Sequence, residues 1–247
     1  MSIILFNLKT YLDVEGSLAA AERINGLGTN HEVIIAPPLL SLHDLSKRKM
    51  NGNVLLCAQN FDYSETYGAH TGDVLVDDLK KLGCRYALIG HSEVRHRKAP
   101  RTGESDELIS KKMKLCLDRG LIPVLCFGET HEEKDSGETD RAIIRQLKSA
   151  FAAVSEMKNM DVVLAYEPVW AISSAKSAES CSIEYVARVS ELVKKTLENR
   201  VRYRLLYGGS VNADNISSYI SSGFVEGVLI GKAGTEKESL ERIKGML

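Results

Sequence analysis

Short apolar, β-branched runs recur along the chain, and between them lie longer stretches whose apolar residues return every three or four positions. The runs predict eight strands, at residues 3–8, 32–36, 54–58, 85–89, 122–127, 161–166, 203–207 and 225–230. The intervening stretches carry a helical period. Within residues 104–119, Leu108, Ile109, Met113 and Cys116 share one face; within 183–200, Val186, Val189, Val193 and Leu197 do. Gly83, Gly120 and Gly223 each stand just ahead of a strand, where a left-handed residue stops the preceding helix. Strands alternating with helices pair in parallel, because the crossover returns the chain to the same end of the sheet. Eight such units in 247 residues predict an α/β protein, a closed (β/α)₈ barrel formed by residues 1–247 as one domain, with a doubly wound open sheet as the runner-up.

Charge and cysteine content narrow the function classes. With 32 basic and 33 acidic residues the formal net charge is -1, so no global field draws nucleic acid or an anionic membrane, and an anionic ligand must be captured locally. The N-terminal residues show no cationic leader or cleavage site, and no apolar run approaches the roughly 20 residues of a membrane span. The expectation is a soluble, cytoplasmic protein. Cys57, Cys84, Cys116, Cys126 and Cys181 are odd in number, lack Cys-x-x-Cys spacing and read as reduced core thiols. The six histidines form no ligand-spaced cluster, so no metal is expected.

In a barrel of this kind, chemistry collects where strands end and helices begin. Past the first predicted strand stand Asn7 and Lys9; past the fourth, Gly90, His91, Ser92 and Glu93; past the sixth, Glu167; past the seventh, Gly208, Gly209 and Ser210; past the eighth, Gly231. A lone lysine is ordinarily a solvated charge, and a lone histidine a satisfied structural group. Jointly, a cation, an imidazole and a carboxylate are the parts that move a proton beside a carbonyl: the carboxylate removes it while the other two stabilise charge growing on oxygen. Glu167 follows an apolar run onto a turn set by Pro168, and can act as a proton acceptor if burial holds its pKa near the working pH. Beyond it, Val169, Trp170, Ala171 and Ile172 lead into small residues able to hinge a cover. The glycines after the last two strands let backbone N–H groups approach an anion, which suits a phosphate; tight turns are the plainer alternative.

Asn7-x-Lys9, Gly90-His91-Ser92-Glu93, the run from Tyr166 to Ile172, and Tyr207-Gly208-Gly209-Ser210-Val211 resemble the triosephosphate isomerase family in order and spacing over essentially the whole chain. Gly68-Ala69-His70-Thr71-Gly72, Gly103-Glu104-Ser105-Asp106-Glu107 and Cys126-Phe127-Gly128-Glu129 extend the resemblance. It implies a TIM-barrel catalytic domain, a glycolytic and gluconeogenic isomerase of triose phosphates that uses no cofactor. By the same resemblance Glu167 is the base, His91 a neutral electrophile, Lys9 the cation for substrate and enediolate, Asn7 a support for these oxygens, and Glu93 a carboxylate near Lys9. Ser92 starts the helix behind His91. Phosphate is implied to sit on the N–H groups of Ser173, Ser210, Gly231 and Lys232. The lid comprises Pro168 to Ile172 with Ser174, Ala175 and Lys176, and Tyr207 and Ser210 latch it. Residues 60–72 form the loop that enters a second subunit in this family, with Thr71 steadying the partner's site, so a homodimer is implied.

The sequence departs from the family in several places. The lid tip is Ser173-Ser174-Ala175 rather than Gly-Thr-Gly, Lys232 replaces a second glycine, and Leu8 replaces a tryptophan. Val94 replaces the first of two arginines, and the segment onward to Gly103 is longer, with His96, Arg97, Lys98 and Arg101 expected at the surface. The Lys232 side chain either adds a cation close to the phosphate or points outward into solvent, and the outward direction is expected. Two other functions stay in view: isomerisation of a four-carbon ketose phosphate, motivated by the lid tip and Lys232, and a phosphate-binding barrel without catalysis, against which the joint presence of Lys9, His91 and Glu167 speaks.

Overall fold

The computed structural model describes residues 1–97, 99, 101–154, 160–172, 181–198 and 201–247. Eight parallel strands close into a barrel in sequence order, β1 (Ile3–Asn7), β2 (Glu32–Ala36), β3 (Val54–Ala58), β4 (Cys84–Ile89), β5 (Ile122–Phe127), β6 (Asp161–Tyr166), β7 (Arg202–Tyr207) and β8 (Gly227–Ile230), with β8 pairing back onto β1. At least one helix follows every strand. Closure settles the sheet: no strand is left with an open edge, so the doubly wound alternative falls away.

Several predicted boundaries shift, each for a local reason. β1 ends at Asn7 rather than residue 8, because the main chain turns at Lys9 into the left-handed region, φ 46°. β4 and β7 begin one residue early, at Cys84 and Arg202. β8 begins at Gly227 rather than 225, where a Cβ would lie 2.0 Å from the Ile3 carbonyl oxygen, so the tight approach to β1 admits only glycine. The helix predicted at 104–119 spans Asp106–Asp118, since Ser105 caps it by accepting from Leu108 N–H. The helix Ile183–Leu197 is capped by Ser182 and stopped by Glu198 at φ 46°; residues 199 and 200 lie outside the described residues. Gly83, Gly120 and Gly223 have φ of 81°, 76° and 75°, the left-handed stops read from the sequence.

Side chains sort into two packed layers. Ile3, Leu5, Ile34, Cys57, Leu88, Val124, Cys126, Val163, Ala165, Leu206 and Leu229 fill the barrel interior, while Ile4, Phe6, Ile35, Ile89, Leu125, Leu164 and Ile230 face outward onto the helices. All five cysteines are buried and free. Because strand side chains alternate, the inward set of each strand extends by two residues to the mouth beyond its C-terminal end. From Leu5, Leu88, Cys126, Ala165, Leu206 and Leu229 this step leads to Asn7, Gly90, Gly128, Glu167, Gly208 and Gly231. Parity therefore sets one carboxylate and one amide among glycines at the same rim.

Candidate active site

At this rim lies a cavity of about 350 Å³ lined by Lys9, Glu167, Gly208, Ser210, Gly231 and Lys232, among others. Lys9 is held by its own backbone: the Asn7 Oδ1 accepts from Lys9 N–H at 3.1 Å, and Gln59 Nε2 donates to the carbonyls of Lys9 and Ala36 at 3.1 and 2.9 Å. These bonds offset the strain of a lysine at positive φ, about 1 kcal/mol or more. Its side chain is 12% exposed, and Nζ donates to Glu93 Oε1 at 2.7 Å.

His91 caps the short helix Ser92–Arg95: its Nδ1 accepts from Glu93 N–H at 3.1 Å. The cap is therefore the imidazole, with Ser92 the first helical residue behind it. A ring nitrogen that accepts a backbone N–H carries no proton, so the proton of the neutral ring resides on Nε2. That atom lies 3.3 Å from Glu167 Oε1. The Nε2 side of the His91 ring is thus aimed at the cavity carboxylate.

Glu167 is 3% exposed, and its Oε2 is buried without a hydrogen bond among the described residues. Its main-chain N–H donates to Phe127 O at 2.8 Å, and a Cβ at Gly128 would lie 2.2 Å from Glu167 O. Burial raises the carboxyl pKa, but His91, Lys9 and the Cys126 thiol outweigh it, and the net direction is downward from 4.5. Three neighbours that favour the anion, none of them adjacent in the sequence, decide the sign. The carboxylate is ionised at neutral pH, the state a proton acceptor requires.

Ser210, also lining the cavity, adopts φ 48° and its Oγ donates to Ala171 O at 2.7 Å, tying the β7 turn to the short turn Val169–Ala171. The Tyr207 ring is buried against Tyr219, centroids 4.2 Å apart, and its hydroxyl has no hydrogen bond among the described residues. Ser173, Ser174, Ala175 and Lys176 lie outside the described residues. The Lys232 side chain, 61% exposed, lies at the edge of this cavity with Nζ 3.8 Å from Glu236 Oε1. Thr71 is exposed, as are His96, Arg97 and Arg101.

Three features escape the sequence reading. Glu129, fully buried, accepts from Tyr166 Oη, Tyr185 Oη and Trp170 Nε1, the last at 2.8 Å, and so fixes the turn Val169–Ala171. Arg95 donates from Nε to Gly90 O at 2.7 Å and from Nη2 to Cys126 O at 3.2 Å, while Nη1 pairs with Asp106 at 2.6 Å, bracing the ends of β4 and β5. Gln59 is the third; its signal is the same step of two beyond the inward Cys57.

An ammonium, a neutral imidazole donor and an ionised carboxylate at one rim can remove a proton from carbon and stabilise the oxyanion that results. Fold and site together define a (β/α)₈-barrel isomerase. A family model described as triosephosphate isomerase matches residues 2–246. Relatives named triosephosphate isomerase include those of Aquifex aeolicus, 38% identical over 87% of this chain and 85% of the relative, and Lawsonia intracellularis, 35% identical over 88% and 85%. That of Dictyoglomus thermophilum is 36% identical over 86% and 84%. The chain belongs to the triosephosphate isomerase family.

Proposed function

We propose that this chain interconverts D-glyceraldehyde 3-phosphate and dihydroxyacetone phosphate through an enediolate, with Glu167, His91 and Lys9 in the reacting roles. The approach of His91 Nε2 to Glu167 Oε1, 3.3 Å, with Glu167 and Lys9 lining one cavity, is the observation that carries the reading. Glu167 takes the proton from the carbon beside the carbonyl and returns it to the neighbouring carbon. His91 Nε2–H and the Lys9 ammonium donate to the substrate oxygens, where negative charge develops. Asn7 holds the Lys9 main chain, and Glu93 holds the Lys9 ammonium in place. Ser210, Gly231 and Lys232 offer main-chain N–H groups to the phosphate, joined by Ser173 when the lid closes. Exclusion of water then strengthens each contact and protects the enediolate phosphate from elimination.

A coupled assay with glyceraldehyde 3-phosphate in the presence of chelator tests this. Turnover that chelator leaves unchanged is expected; absence of turnover, or faster turnover of four-carbon ketose phosphates, overturns it. The same reading extends to a cytoplasmic homodimer in which Thr71, on the exposed stretch of residues 65–73, reaches the partner. Among the described residues no helix is long and apolar enough to cross a membrane. Sedimentation of the active protein at twice the 27.2 kDa chain mass is expected, and a fully active monomer overturns the dimer.

A further inference from the structure

The end of the cavity where a phosphate would sit is not uniformly favourable to an anion. Besides Ser210 and Gly231 it is lined by two carboxylates, Asp214 and Glu236. Each faces a cation, but on different terms. Arg242 Nη2 lies 2.5 Å from Asp214 Oδ1, a close ion pair. Lys232 Nζ lies 3.8 Å from Glu236 Oε1, at the outer limit of pairing.

The second pair is held loosely. Both side chains are more than half exposed, 61% for Lys232 and 56% for Glu236, so their attraction is screened and the ammonium can swing without burying or uncovering a charge. Glu236 stands at the N-terminus of the helix Lys237–Lys244 yet makes no side-chain cap hydrogen bond, so no backbone donor competes with Lys232 for its carboxylate. Lys232 opens the short turn Lys232–Gly234 directly after Gly231, and its main chain lies outside the left-handed region. A side chain is therefore unstrained here, and glycine is not required by the backbone.

We propose that Lys232 is a specificity-determining residue for the phosphate end of the substrate: its ammonium offsets Glu236 and is shared with the phosphate dianion when substrate binds. The proposal rests on the triose phosphate reading above. Without this cation, Glu236 and the dianion face each other across the rim, and binding weakens. The phosphate is remote from the carbons that exchange the proton, so the loss falls on ground state and transition state alike and appears in KM rather than kcat.

The test is a double-mutant cycle of Lys232→Met and Glu236→Gln, with Lys232→Arg as the conservative control. Lys232→Met is expected to raise KM for glyceraldehyde 3-phosphate and the inhibition constant of inorganic phosphate together, about three- to tenfold, with kcat within about twofold of the parent. Lys232→Arg restores both, while Glu236→Gln alone lowers KM and the phosphate inhibition constant and Lys232→Met in that background raises them again, which a merely structural lysine would not produce. If the parent turns over triose phosphate but Lys232→Met leaves KM and phosphate inhibition unchanged, or Glu236→Gln does not lower them, the inference is overturned while the function stands. A parent protein with no turnover overturns the function itself.

Discussion

Gly208 lies so close to Glu167 that a Cβ there would sit 2.9 Å from Glu167 Cγ. The missing methyl group is what lets β7 press against the carboxylate and set its position opposite His91 Nε2. Gly208→Ala is therefore expected to displace the carboxylate and lower kcat about ten- to a hundredfold, the usual consequence of a misplacement near 1 Å. Steady-state kinetics checks this alongside thermal unfolding; unchanged kcat in a folded variant would show that the close approach does not position the base.

Glu167→Gln keeps the shape of the side chain but cannot accept a proton. Turnover is expected to fall by about three orders of magnitude or more while substrate analogues still bind. Calorimetric titration with a non-reactive analogue separates the two effects, and parental turnover in this variant would remove Glu167 from the reaction.

Glu129 satisfies three buried donors at once, and Glu129→Leu leaves the hydroxyls of Tyr166 and Tyr185 and the indole N–H of Trp170 unpaired. A cost of about 3 kcal/mol or more is expected, lowering Tm by roughly 6–12 °C. Trp170 is the single tryptophan of the chain, so its fluorescence reports the loosening of the lid's first turn directly. An unmoved emission maximum and Tm would show that the network is dispensable.

At the opposite mouth of the barrel Glu32 accepts from Arg204 Nη1 at 2.9 Å and pairs also with the Tyr86 hydroxyl. Burial raises the Glu32 pKa, but Arg204 and Tyr86 outweigh it and the net direction is downward from 4.5. A carboxyl whose folded pKa is depressed contributes stability that is fully present above the unfolded value and lost as pH falls through the folded one. Arg204→Met is therefore expected to cost about 1–3 kcal/mol at pH 7. Parent and variant should converge below pH 4.5. Denaturant unfolding across this range checks it; a difference that widens in acid would reverse the assigned sign.

The strands, the helical faces and the rim residues are legible in the sequence because each is written in local periodicity. Val186, Val189, Val193 and Leu197 are all buried on one face of their helix, as their spacing requires. Arg95 and Glu129 carry no such signal, since Cys126 for Arg95 and Tyr166, Trp170 and Tyr185 for Glu129 lie 31 to 56 positions away, whereas Gln59 is marked by the step of two beyond Cys57. The direction of the Glu167 shift was hidden for the same reason: His91, Lys9 and Cys126 come from three other strand ends and meet it only when the barrel closes.

The two-residue alternation that carries Glu167 to the rim also makes each strand intolerant of a change in length. Inserting one residue within β6 would rotate every later side chain of that strand by half a turn, putting the carboxylate among the helices and the Tyr166 ring in its place.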